Sequence, residues 1–180
     1  MTMNGIIIYG SKYGSTKYYA EKLSERTGLP AVSYNKHPEF KDRNIIIYMG
    51  GLYAGGVLGL SSTFRNFTLS DKQKLIIVTV GVSDPNQQSV ISDIQNSMKN
   101  QISDQLFRRA EIYHLRGKID YQNLSLSHRA MMALMHKSLK SVPYENQTEE
   151  NQAFLDTYGK EADFTDLAFL NPIIEEINRN

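Results

Sequence analysis

The sequence predicts an α/β fold in which parallel strands alternate with helices. Short apolar runs rich in Ile and Val are separated by longer amphipathic segments, the order expected of βαβ units. Three of those runs are near-continuous Ile and Val rather than alternating, so they read as strands buried on both faces.

Gly5-Ile6-Ile7-Ile8-Tyr9 supplies the first strand. Residues 16–27 supply the first helix, ended by Gly28-Leu29-Pro30, a C′ glycine followed by a proline. The weaker run Ala31-Val32-Ser33-Tyr34 reads as an edge strand, and Asn44-Ile45-Ile46-Ile47-Tyr48-Met49 as the third. A helix at residues 61–67 precedes the fourth strand, Leu75-Ile76-Ile77-Val78-Thr79-Val80. Residues 87–106 predict the third helix, Glu111-Ile112-Tyr113-His114-Leu115 the fifth strand and residues 127–139 the fourth helix. The polar stretch 141–160, with Pro143 and Gly159, reads as a surface excursion holding one short helix at most. A terminal helix is expected at residues 167–177.

With 180 residues, 41% of them hydrophobic, and no internal repeat, residues 1–180 are expected to form one domain with a continuous core. Lys+Arg at 20 against Asp+Glu at 19 leaves a net charge of +1, which removes the electrostatic argument for nucleic acid as a partner. The absence of cysteine excludes disulfides, thiolate metal sites, iron–sulfur ligation and Cys nucleophiles. None of His37, His114, His128 and His136 shows the i, i+4 spacing that presents two imidazoles to one metal, so no metal site is expected. The amino terminus carries no basic region followed by an apolar stretch, and no apolar run approaches the ~20 residues of a spanning helix. A cytoplasmic protein without stable membrane insertion is the expectation.

The first strand runs into Gly10-Ser11-Lys12-Tyr13-Gly14-Ser15-Thr16, where the first helix begins. Hydroxyls, glycines and a lysine at a strand-to-helix junction offer a phosphate free amides, O–H donors and room for close approach. The same residues also allow an ordinary N-cap at Ser15 or Thr16. A P-loop needs its Lys directly before the helix-opening Ser or Thr, whereas Lys12 precedes Tyr13-Gly14, and no G-x-G-x-x-G is present. A receiver domain needs acidic residues after the first strand and an Asp ending the third, and this chain offers Tyr9-Gly10 and Tyr48-Met49-Gly50.

Ser11-Lys12-Tyr13-Gly14-Ser15-Thr16 resembles the hydroxyl-rich loop with which flavodoxins bind the FMN phosphate. That resemblance implies a flavodoxin-like three-layer sandwich, a five-stranded parallel sheet of order 2-1-3-4-5, and one FMN at the switch point between the first and third strands. The loop after the third strand would then reach the flavin ring. It reads Gly50-Gly51-Leu52-Tyr53-Ala54-Gly55-Gly56, with glycines for close backbone approach and Tyr53 either stacked on the ring or simply exposed. Gly81, Val82 and Ser83 follow the fourth strand, where flavodoxins place a third loop, and Asp84-Pro85 reads as the turn before the next helix.

Further stretches, His114-Leu115-Arg116-Gly117-Lys118-Ile119-Asp120-Tyr121, Arg129-Ala130-Met131-Met132 and Asp163-Phe164-Thr165-Asp166-Leu167, resemble the menaquinone-dependent protoporphyrinogen dehydrogenase branch of that fold. Leu52 stands where that branch carries Arg, and Ser83-Asp84-Pro85 where it carries a basic cluster, so cations that would pair with porphyrin propionates are missing at those positions. In the basic amphipathic segment 127–140, Met131, Met132, Met135 and Leu139 fall at helical spacing and read as a core stripe beneath solvated cations. The other reading of that segment is peripheral contact with a membrane surface or a quinone-bearing partner.

The expected function is that of an FMN-dependent oxidoreductase with a quinone or other organic acceptor, no side chain standing out as an acid or base. A one-electron carrier is an alternative, although carriers of this type are usually strongly acidic. A partner-binding protein without redox activity is another.

Overall fold

A computed structural model of the chain describes residues 4–147 and 149–179. Residues 1–3, Thr148 inside the polar excursion, and Asn180 lie outside the described residues.

The Ile and Val runs form the strands expected of them. β1 (Gly5–Gly10), β2 (Ala31–Ser33), β3 (Ile45–Tyr53), β5 (Lys74–Gly81) and β6 (Ala110–Arg116) lie parallel in the order β2-β1-β3-β5-β6. Between β3 and β5, the two-residue β4 (Gly56–Val57) pairs antiparallel with β3. Counting only the parallel strands, this is the 2-1-3-4-5 order, and the chain reverses direction across the sheet between β1 and β3. Neighbouring side chains alternate across the sheet, so Ile6, Ile8, Ile46, Tyr48, Leu75 and Ile77 face one layer of helices. Ile7, Ile47, Met49, Ile76 and Val78 face the other.

On the first face pack α2 (Leu60–Phe64), α3 (Gln88–Lys99) and α4 (Asp104–Arg109). In α3, Val90, Ile94 and Met98 recur every four residues and bury one stripe against the sheet. The second face is covered by α1 (Ser15–Thr27) and α7 (Asn171–Asn178), through Tyr19, Ala20, Leu23, Ile173 and Ile177. Gly28 ends α1 at φ 73°, its N–H donating to the Ser24 carbonyl at 2.8 Å, as its C′ position demands.

Four expectations require correction. The helix expected over residues 87–106 is two helices, because Asn100–Ser103 breaks the period and Ser103 caps α4 by accepting from Leu106 N–H. The helix expected at residues 61–67 stops at Phe64. The terminal helix opens with a 3-10 turn over Leu167–Leu170, and α7 starts at Asn171 with Pro172 in its first turn. Residues 50–53, read as loop, continue β3, because the glycines of a strand end carry no β-forming signal of their own.

After β6 the chain builds a small outlying layer. β7 (Lys118–Asp120) pairs antiparallel with β8 (Glu161–Asp163), and between them lie α5 (Leu126–Lys140) and α6 (Glu149–Thr157). Ile119, Tyr121, Leu124 and Met132 form its own apolar cluster, joined by Phe154 and Tyr158 and touching Val82 at the end of the sheet. Burial pushes the Tyr121 hydroxyl up to about 12.

Candidate functional site

The carboxyl ends of β1, β3 and β5 converge on the turn that opens α1. Gly14 sits at φ 99°, a left-handed conformation that favours glycine, and no side chain caps the helix that follows. The first helical hydrogen bond is Tyr18 N–H to Gly14 carbonyl, so the amides of Ser15, Thr16 and Lys17 point out of the helix end without a helical acceptor. No acidic residue lies in that first turn. Thr16 is only 3% exposed, yet its hydroxyl makes no hydrogen bond among the described residues and lines a cavity. An unpaired hydroxyl open to the cavity and outward amides at a helix N-terminus suit an anion. Ser11 accepts from the Gly14 N–H at 3.2 Å and fixes the turn.

Opposite this turn, β3 runs on past Met49 and folds back into β4, pairing Leu52 with Val57 and Tyr53 with Gly56. Ala54 and Gly55 make the two-residue turn at φ 50° and 78°, both left-handed as such a hairpin turn requires. A Cβ on Gly50 would collide with Val57, so only glycine lets the two strands close here. The hairpin is pinned to α3 and to the turn that follows it. Gln101 accepts from Val57 N–H at 2.8 Å and donates to its carbonyl at 3.1 Å, and Ser97 donates to the Gly55 carbonyl at 2.6 Å. The third loop is pinned as well, by Arg116, whose guanidinium donates twice to the Val82 carbonyl and lies 3.6 Å from the centre of the Phe164 ring. Asp84 makes its turn by accepting from Asn86 N–H at 2.9 Å, while α3 begins four residues later.

These three loops surround a cavity of about 500 Å³. Of the residues singled out in the sequence, Ser11, Lys12, Tyr13, Ser15, Thr16, Gly51, Leu52, Tyr53, Ala54, Gly55, Gly81, Val82 and Ser83 line it. Gly14 and Gly50 shape the walls from behind, the one by its turn and the other by its strand pairing. Lys12 reaches away from the helix end, with its ammonium 5.7 Å from the centre of the Tyr53 ring.

The stretch from Lys118 to Asp163, which the sequence offers as one wall of a cavity beside the flavin, supplies the outer wall. That wall comes from Lys118, Ile119, Leu124, His128, Met131, Met132, Met135 and Phe154, all in the layer after β6. Of the stripe read in the sequence as core, Met131, Met132, Met135 and Leu139, the three methionines line the cavity, together with His128 one turn earlier. Met132 is buried in the apolar cluster of the outer layer, as the core reading has it, whereas Met131 and Met135 stay 42% and 45% exposed, so that reading fails for those two. Leu134 and Leu126, at 70% and 82% exposed, lie outside the stripe altogether.

His128 links this wall to the turn before α1. Its Nδ1 lies 2.8 Å from the Tyr13 hydroxyl, the two rings stack with centroids 5.4 Å apart, and Tyr53 meets the imidazole edge-on at 5.2 Å. Burial and the nearby Lys12 ammonium push the His128 imidazole below its ordinary pKa. Ser15 makes a second link, accepting from Lys118 N–H at 3.0 Å. Nothing local in the sequence marks His128 as a neighbour of Tyr13, because the contact spans 115 positions.

Among curated proteins none matches the chain. Two crystal structures resemble it in part. A candidate flavoprotein of Bacteroides uniformis ATCC 8492 is 11% identical, with a TM-score of 0.44 over 65% of this chain and 92% of that one. A candidate flavoprotein of Bacteroides eggerthii DSM 20697 is 10% identical, with a TM-score of 0.41 over 73% and 96%. The family model of the flavodoxin domain matches residues 6–144, from the first strand to beyond α5. This chain belongs to the flavodoxin domain family.

Proposed function

We propose that this chain, residues 1–180 acting as one domain, binds a single FMN non-covalently and works as an FMN-dependent oxidoreductase in the cytoplasm. The observation that carries the reading is the Thr16 hydroxyl, free of hydrogen bonds and open to the cavity on an otherwise buried residue, beside the free amides of Ser15, Thr16 and Lys17, with Tyr53 and the β3–β4 hairpin lining the same cavity. Ser11, Thr16 and the α1 amides would hold the phosphate. The backbone of Gly51 to Gly55 and of Gly81 to Ser83 would border the ring, with Tyr53 beside it. When bound, the flavin would supply two-electron or one-electron transfer. The chain's own residues bind it, orient it and cover it with the apolar wall of Leu124, Met131, Met132 and Phe154.

The finer reading is an activity like that of protoporphyrinogen dehydrogenase, with a quinone or other organic acceptor. It is supported by the volume of the cavity, about 500 Å³, and by Lys12 and Lys118, which line it and offer cations to a carboxylate-bearing substrate. Among the described residues, no helix is long and apolar enough to cross a membrane. α5 carries Arg129, Lys137 and Lys140 and no acidic residue, with Leu126 and Leu134 exposed, a composition suited to peripheral contact with an anionic bilayer.

The test is to incubate the purified chain with FMN, remove free flavin and record the absorbance spectrum. We expect retained FMN. The double variant Ser11→Ala with Thr16→Ala should bind more weakly by about 1–3 kcal/mol, the range for losing hydrogen bonds to a charged group. Unchanged affinity overturns the phosphate assignment. Reduction of the loaded protein followed by reoxidation with quinones then examines the activity.

A further inference from the structure

We propose that the turn before α1 is also the anchor of the cavity's outer wall, so that phosphate occupancy and docking of that wall reinforce one another, with Ser15 and Tyr13 as positioning residues. The proposal rests on the FMN reading above.

The observation is one of shared atoms. The outer layer meets the turn at two polar points, Lys118 N–H donating to Ser15 Oγ at 3.0 Å and His128 Nδ1 paired with Tyr13 Oη at 2.8 Å. Ser15 is the first residue of α1, so the same hydroxyl stands where the helix end meets an anion. A serine hydroxyl has two lone pairs and one proton. Here a lone pair is taken by the Lys118 amide, and the nearest acceptor for the proton, the Lys118 carbonyl, lies 3.5 Å away, at the limit of a hydrogen bond. The proton is therefore available to a phosphate oxygen.

A hydroxyl that donates to an anion becomes a stronger acceptor, because each bond in a chain polarises the next. Phosphate at the helix end thus tightens the Ser15–Lys118 bond. By linkage, docking of β7 must tighten phosphate binding by the same factor. The contact is also sterically close, since a Cβ on Gly117 would lie 2.9 Å from Ser15 Cβ. Stacking of Tyr13 on His128 extends the same anchor to the first turn of α5. The layer that would cover a second substrate is thereby coupled to the occupant of the cofactor's phosphate site.

The experiment is hydrogen exchange of the full chain, read by mass spectrometry, with saturating FMN, with saturating riboflavin and with inorganic phosphate. FMN should slow exchange over Lys118–Asp120 and Leu126–Lys140 about fivefold or more beyond riboflavin, within the usual range of coupling between sites. Inorganic phosphate should slow the same segments. In the double variant Ser15→Ala with Tyr13→Phe, still saturated with FMN, that increment should vanish. Equal protection by FMN and riboflavin in the unaltered chain, or an increment that survives in the double variant, overturns the coupling. Protection of the amides at the start of α1 by FMN reports the phosphate site itself. If that protection is absent, the FMN reading falls; if it is present without the increment, only the coupling falls.

Discussion

The imidazole of His128 stacks on the Tyr13 ring and shares a 2.8 Å hydrogen bond with its hydroxyl, joining the first turn of α5 to the turn before α1. The groups that face it are Lys12 and Tyr13 from that turn and Tyr53 from β3. Because burial, aided by Lys12, lowers its pKa, folding favours the neutral ring. The stability contributed is whole above the ordinary imidazole value of about 6.5 and is lost as pH falls through the lowered value. We expect the protection of the α5 amides, taken relative to the intrinsic exchange rate at each pH, to fall on acidification in the unaltered chain and to lose that dependence in His128→Gln. An NMR titration of the histidine ring protons checks the direction of the shift.

Gly117→Ala should destabilise the fold. The added methyl would meet Ser15 Cβ at 2.9 Å and Val80 Cγ1 at 3.0 Å, between β6 and β7. Overpacking of this kind costs about 1–3 kcal/mol, read as a lower urea midpoint.

Gln101→Ala should loosen the hairpin. It strips Val57 of both partners on its outer edge and leaves a partly buried N–H and carbonyl unpaired, at a cost of about 1–3 kcal/mol. FMN affinity should fall as well, since Ser97 alone would then hold the hairpin to α3. Calorimetric titration measures it.

Lys74→Met should weaken the seat of α7. Lys74 Nζ lies 3.0 Å from the buried Glu176 carboxylate and donates to the carbonyls of Glu176 and Arg179. The remaining partner of Glu176, Arg179, is 70% exposed along its side chain. A loss of about 1–3 kcal/mol is expected in chemical denaturation, less than for a fully buried pair because Lys74 itself is partly solvated.

Leu134→Glu should leave stability unchanged, since Leu134 is 70% exposed. It should abolish sedimentation of the protein with vesicles containing anionic lipid. Sedimentation equal to that of the unaltered chain would remove the bilayer contact from the functional reading.

The sheet was legible because its signal is local: a run such as Ile45-Ile46-Ile47 declares a doubly buried strand wherever it occurs. The turn at Ser11 to Thr16 was legible for the same reason, its amides and hydroxyls being adjacent in the chain. The hairpin was hidden, since Gly50 and Gly51 are strand residues only by virtue of what packs against them, Val57 and Thr16. The outer wall was legible only as a stretch of chain, Lys118 to Asp163, and not in its residues. The spacing of Met131, Met132, Met135 and Leu139 revealed that a face exists, but whether it meets the sheet or a cavity depends on where the chain re-enters after β6. Its anchors at Ser15 and Tyr13 lie more than a hundred positions away.

Lys118–Asp120 and Glu161–Asp163 run side by side, and Phe164 N–H returns to the Gly117 carbonyl at 3.2 Å. The intervening chain thus departs and comes back through one narrow neck. A sequence joined at that neck can vary in length without disturbing the register of β5 and β6, in the way a branch can be pruned without moving the trunk. Relatives built on the same sheet can therefore differ in what they admit beside the cofactor while keeping the means of holding it.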